Sequence, residues 1–190
     1  DYDYYWFSLS QSGVMTLDFN HRNLDNPSTY WTIWLYDSDK DEIVESEVIG
    51  YGTSHRISQI GLPAGNYYIR ITDATLTSSS NYNFNVKFSP SSVWEKESND
   101  GRTTATSTRI GTRYYGNLDE KWDRDYFWFP VSKRTKLKLN FQHGRVSSAS
   151  DCWKLNIWKA DNSWEFDEYY YSKGNQTSMT AHIGDLPAGN

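Results

Sequence analysis

The chain of 190 residues has a single cysteine, Cys152, so it contains neither a disulfide framework nor any of the multi-cysteine zinc patterns. Its 19 Lys and Arg are outnumbered by 24 Asp and Glu and form no basic run. With a net charge of -5 it lacks the positive surface that displaces counterions from phosphates, and no nucleic-acid partner is expected. No stretch approaches the eighteen or so apolar residues of a bilayer span, so no membrane insertion is expected either. The N-terminal DYDYYWF has neither the basic nor the apolar region of an export signal.

Catalytic signatures are equally scarce. His21, His55, His143 and His182 form no HExxH pair, and there is no Gly-x-Ser-x-Gly elbow. Ser54 and His55 are chain neighbours on an extended segment, which sends their side chains to opposite faces. Gly50-Tyr51-Gly52 breaks the dinucleotide-binding pattern at its third glycine. The acidic residues permit many glycosidase-like carboxylate pairs and single out none. An enzyme is not expected.

What the chain does have is rings. Aromatics make up 17% of it, with nine Trp and fifteen Tyr, which suits short strands and favours an all-β fold. Asp1-Tyr-Asp-Tyr-Tyr-Trp-Phe7 returns as Asp123-Arg-Asp-Tyr-Phe-Trp-Phe129, a shift of 122 residues. Met15, Leu17 and Phe19 fall on Leu137, Leu139 and Phe141, and Trp31, Ile33 and Leu35 on Trp153, Leu155 and Ile157. Leu62-Pro-Ala-Gly-Asn66 returns as Leu186-Pro-Ala-Gly-Asn190 at a shift of 124, so the second copy carries a two-residue insertion. The chain is a tandem repeat.

In the first copy, period-two strands run through Tyr5/Phe7/Leu9, Met15/Leu17/Phe19, Trp31/Ile33/Leu35, Tyr67/Ile69/Ile71 and Tyr82/Phe84/Val86/Phe88. Polar residues fill the alternate positions, as in antiparallel sheets with one buried face. Turn residues separate the strands, and no segment has a convincing helical period; Thr103 to Thr108 comes nearest. Asp37-Ser-Asp39-Lys-Asp41-Glu42 departs from the EF-hand pattern at its sixth and twelfth positions and reads as a hairpin turn. Residues 1–90 form a first unit without an N-terminal segment, 91–93 a linker, and 94–190 a second unit without C-terminal strands. A window on a longer array is expected, with self-association through the incomplete units as the alternative.

Glu95, Glu97 and Asn99 recur every second residue, Asp100 adjoins them, and Asp123 and Asp125 precede the next aromatic strand. A strand projects such residues to one side, and a hard cation needs six to eight oxygens. Those residues alone read first as a solvated segment in which Asn99 and Asp100 start a turn or cap Thr103 to Thr108. A second group, Tyr4, Trp6, Trp34, Tyr36 and Tyr68 with Tyr126, Trp128 and Trp158, occupies the outward positions of the aromatic strands. It is either a ligand face or the second half of a ring-rich core.

The series Glu95-x-Glu97-x-Asn99-Asp100, Ala105, Ile110, Gly116-Asn-Leu118, Asp123-x-Asp125-Tyr-Phe127 and Leu-Pro-Ala-Gly with Tyr-Tyr resembles the bacterial pre-peptidase C-terminal domain, related to the collagen-binding domains of bacterial collagenases. The resemblance implies tandem antiparallel jelly-roll-like β-sandwiches, attached as non-catalytic modules to secreted or cell-surface proteins. It also implies Ca2+ held by Glu95, Glu97, Asn99, Asp100, Asp123 and Asp125. The first copy keeps only Asp1 and Asp3 of that set. The function expected is a calcium-stabilised extracellular binding module whose ligand is a fibrous protein or polysaccharide; the alternative is a spacer or self-assembling repeat with no ligand.

Overall fold

The computed structural model describes residues 1–118, 123–160 and 167–189, the side chains of Asp167 and Glu168 excepted. The described residues contain strands and no helix. Two compact units are present, Asp1–Thr106 with Gly111–Phe127, and Ser107–Ile110 with Trp128–Asn190. These do not coincide with the two copies of the repeat, because residues 94–106 and 111–127 pack with the first unit.

The first unit has seven long strands. β1 (Tyr2–Leu9), β3 (Thr29–Tyr36), β4 (Glu42–Ile49) and β6 (Gly65–Asp73) form an antiparallel sheet in the order β1-β6-β3-β4. A second antiparallel sheet holds β2 (Gly13–His21), β5 (Ser54–Leu62) and β7 (Tyr82–Pro90) in the order β5-β2-β7. One core joins them: Met15, Leu17, Phe19, Ile60 and Leu62 from the smaller sheet meet Trp31, Ile33, Leu35, Tyr67, Ile69 and Ile71 from the larger. The strict alternation of β2, apolar at Met15, Leu17 and Phe19, places each of those side chains inside. Phe19 stacks on Tyr82 at 5.2 Å and tilts against Trp31 at 5.7 Å, so rings fill volume that scarce aliphatics would otherwise occupy.

The expected strands are present, and two more join them, β4 and β5. The Asp37–Asp41 segment is the β3–β4 turn, in which Asp37 Oδ1 accepts the N–H groups of Asp39 and Asp41, both at 2.9 Å. Thr103 to Thr108 forms no helix; it is a turn running into β8 (Thr106–Ser107), and β9 is Phe127–Trp128.

In the second unit β10 (Thr135–Gln142) pairs with β13 (Ser178–Leu186), and β11 (Asp151–Trp158) with β12 (Asp167–Lys173). By the repeat these correspond to β2 with β5 and β3 with β4. Counterparts of β6 and β7 are absent from the described residues. Leu137 and Leu139 are half-buried where Leu17 is 1% exposed, and the buried cluster of this unit holds Val131, Ile183 and Leu186 with a few partly buried neighbours. Trp164 to Phe166, in the aromatic and acidic stretch before β12, lie outside the described residues.

Candidate functional site

Segment 93–99 runs along the first unit. Tyr115 N–H donates to Val93 C=O and Glu95 N–H to Tyr115 C=O, both at 2.9 Å, and Glu97 N–H donates to Gly61 C=O at 2.8 Å. Gly61 permits this approach, since a Cβ there would stand 2.1 Å from the Glu95 carbonyl oxygen. Trp94 stacks on Tyr115 with ring centroids 5.8 Å apart. Glu95 and Asn99 are buried and Glu97 half-buried, while Lys96 between them is exposed. The Glu97–Ser98 peptide is cis.

Glu95, Glu97 and Asp125 each bring a carboxylate oxygen within 4.8 Å of the others. Asn99 is fully buried beside them, its amide donating to Thr106 Oγ1 at 3.3 Å while its Oδ1 has no hydrogen-bond partner. Tyr126 N–H donates to Asn99 C=O at 3.0 Å, which fixes the Asp125 segment against the Glu95 segment. Glu95 Oε2 and Asp125 Oδ1 are likewise buried without a hydrogen-bond partner. Orphaned buried acceptors are costly, and carboxylates held this close together call for a cation or a proton.

Burial pushes the Glu95 carboxyl well above its ordinary value, and the charge of Asp125 adds to the rise. Asp125 is also raised, first by burial and then by the charges of Asp123 and Asp100. Ionised, the pair has no hydrogen to share; protonated, Glu95 can donate to Asp125. Asp100 is exposed, and both it and Asp123 stand outside the three-carboxylate cluster.

Two residues that sequence reasoning left without a role complete the surroundings. Asn117 N–H donates to Glu95 Oε1 at 2.7 Å, and a Cβ at Gly116 would lie 2.2 Å from Glu95 Oε2. Gly116-Asn117 carried the signal, as part of the motif, but its backbone role emerges only when the loop folds onto Glu95.

The aromatic candidates divide. In the first sheet, Tyr4 pairs across Arg70 to Trp34, and Trp6 across Tyr68 to Tyr36, so five of the eight lie on one outward face. Tyr4 and Trp6 are 62% and 71% exposed. The Arg70 guanidinium carbon lies over Trp34, 3.9 Å from the ring centroid, and 5.2 Å from that of Tyr36, and those two rings are partly buried. Tyr126 is half-buried in the first unit; Trp128 is exposed and Trp158 half-buried in the second.

Two histidine–serine contacts were also unforeseen: His55 Nε2 with Ser46 Oγ at 2.8 Å and His143 Nε2 with Ser172 Oγ at 2.7 Å. Ser172 is fully buried, and His143 stacks on Trp153 at 3.7 Å, so this second contact pins β12 beneath a ring pair. No family model and no curated protein sequence matches the chain.

Proposed function

We propose that the chain is a non-catalytic, calcium-stabilised binding module of a secreted or cell-surface bacterial protein, presenting the ring-bearing face of its first sheet to a fibrous protein or a polysaccharide. The observation that carries the reading is the approach of one buried and two half-buried carboxylates, Glu95, Glu97 and Asp125, to within 4.8 Å of one another. Oxygens within 4.8 Å of one another suit a hard cation as large as calcium, whose ligands stand at about 2.3 to 2.6 Å. Bound there, calcium supplies positive charge that keeps the carboxylates ionised. The chain's own residues orient it: Asn117 N–H holds one Glu95 oxygen, and Tyr126 N–H holds the Asn99 backbone. Asp100 and Asp123 contribute further negative charge close by.

The outer sheet face supports the binding half of the reading, because exposed Tyr and Trp on rigid strands offer stacking area at little entropic cost. The resemblance to pre-peptidase C-terminal domains, with their jelly-roll-like sandwiches, agrees in composition and motif order, and an extracellular location follows from it. No helix among the described residues is long and apolar enough to cross a membrane. A second reading, a spacer or self-assembling repeat, draws on β10 and β11, each with a single strand neighbour among the described residues.

Two measurements test the proposal. Calorimetric titration of calcium into chelator-stripped protein should give saturable binding that Asp125→Ala abolishes; absence of heat and of any melting shift rejects the cation site. Retention on collagen or insoluble polysaccharide should fall about tenfold or more in Trp6→Ala, with the fold intact. A protein retained on none of a broad panel of matrices is not a binding module.

A further inference from the structure

The outer faces of the two sheets in the first unit treat their cations differently. On the smaller sheet Arg56 and Lys87 each lie 2.5 Å from an oxygen of Asp18, so both have an acidic partner. On the larger sheet Arg70 has none. Among the described residues its guanidinium makes no ion pair, and Nε is buried without a hydrogen-bond partner. The positions that flank it across the strands hold rings, Tyr4 on β1 and Trp34 on β3, and Tyr68 stands two residues before it on β6. β6 is paired on both sides, so this environment belongs to the interior of the sheet and not to an edge.

The contact with Trp34 engages the positive charge and not the N–H donors, which lie in the guanidinium plane and are spaced to meet both oxygens of a carboxylate. The rings also hold the side chain in place before a ligand arrives, which lowers the ordering cost of binding. The nearest acids on β4 are Glu45, opposite Trp34, and Glu42, opposite Tyr36. They stand two strands from β6, about 10 Å, beyond the roughly 8 Å screening length at physiological salt.

We infer that Arg70 is the anion-reading subsite of the ring-bearing face, and that its ligand is a polysaccharide in which single uronate carboxylates are separated by neutral sugars. The inference rests on the binding function proposed above and specifies its ligand. One unpaired cation bordered by rings fits one carboxylate bordered by the apolar faces of neutral sugars. Glu42 and Glu45, beyond the rings, disfavour a second acid on that side, so a polymer with an acid on every unit fits less well. A peptide ligand would draw on backbone hydrogen bonds at a strand edge, and β6 and β3 have theirs committed to neighbouring strands on both sides.

Fluorescence titration of the full chain in saturating calcium tests this with hyaluronan, in which glucuronate alternates with a neutral amino sugar. Hydroxyethyl cellulose, heparin and collagen serve as the neutral, densely acidic and protein comparisons. Binding should be tightest to hyaluronan and should weaken as salt is raised. Arg70→Gln should weaken it about tenfold or more and Arg70→Lys less, since lysine keeps the charge and loses the fork. Glu45→Gln should strengthen it about twofold, a change that a purely structural role for these residues does not produce. Far-ultraviolet circular dichroism verifies that each variant keeps its sheets. If cellulose or collagen binds as tightly as hyaluronan and Arg70→Gln changes nothing, this inference falls while the ring-bearing face stands as a binding surface. Tighter binding to heparin than to hyaluronan overturns the isolated-carboxylate ligand. Binding to none of the four rejects both this inference and the function it rests on.

Discussion

Glu95 meets three demands at once. Its side chain is 1% exposed, its Oε1 accepts from the Asn117 N–H, and its Oε2 faces the space a Gly116 side chain would fill. Burial and Asp125 raise its carboxyl above the ordinary 4.5, which makes the cation-free protein pH-sensitive in a defined direction. The folded state binds this proton more tightly than the unfolded chain does. The favourable contribution is therefore complete below the unfolded value and is lost as pH rises through the folded one. Melting temperature in chelator should accordingly fall as pH is raised from the carboxylate range through neutrality. In saturating calcium the fall should vanish or reverse, because the cation favours the ionised form; thermal melts across pH with and without chelator read both. Gly116→Ala should weaken calcium binding about ten- to a hundredfold by displacing the Glu95 carboxylate, as changes just outside a metal's own ligands do. Glu95, Glu97 and Asn99 were legible as sharing one side of their segment from their spacing, but not as buried. The part of Asn117 was not, because a backbone N–H has no residue-type signature.

At the level of strands, legibility followed regularity. β2, β3, β6 and β7 alternate cleanly and were readable, whereas β5 was not, because its buried Ile57 and Ile60 are three residues apart. The cause is the irregular register against Met15 to Leu17, with Gln59 at φ 59 taking up the extra residue. A β-branched side chain is strained there, so Gln59→Val should cost about 1–2 kcal/mol by urea denaturation. β4 hid its two buried valines among glutamates, being a sheet edge whose charges face solvent. The repeat offers an internal comparison of strands with the same pattern and different neighbours. Leu17→Ala, between β5 and β7, should cost about 2–5 kcal/mol. Leu139→Ala, in the half-buried β10, should cost distinctly less on the transition of its own unit.

For the molecule as a whole, calorimetry should resolve two unfolding transitions, since each unit has its own core. Chelator should lower the transition of the first unit, because Glu95, Glu97, Asn99 and Asp125 all belong to it, with Glu97 bonded to Gly61. At saturating cation the stabilisation approaches about 3 kcal/mol when calcium exceeds its dissociation constant a hundredfold. An unchanged first transition would show the acidic cluster to be no calcium site. By itself the sequence determined the all-β class, the repeat and most strand faces, since alternation and repetition are local properties of the chain. Only the tertiary structure decided that segment 94–127 packs largely on the unit preceding it. It also decided which acids converge. Those outcomes depend on contacts between residues far apart in the chain, which no local pattern encodes.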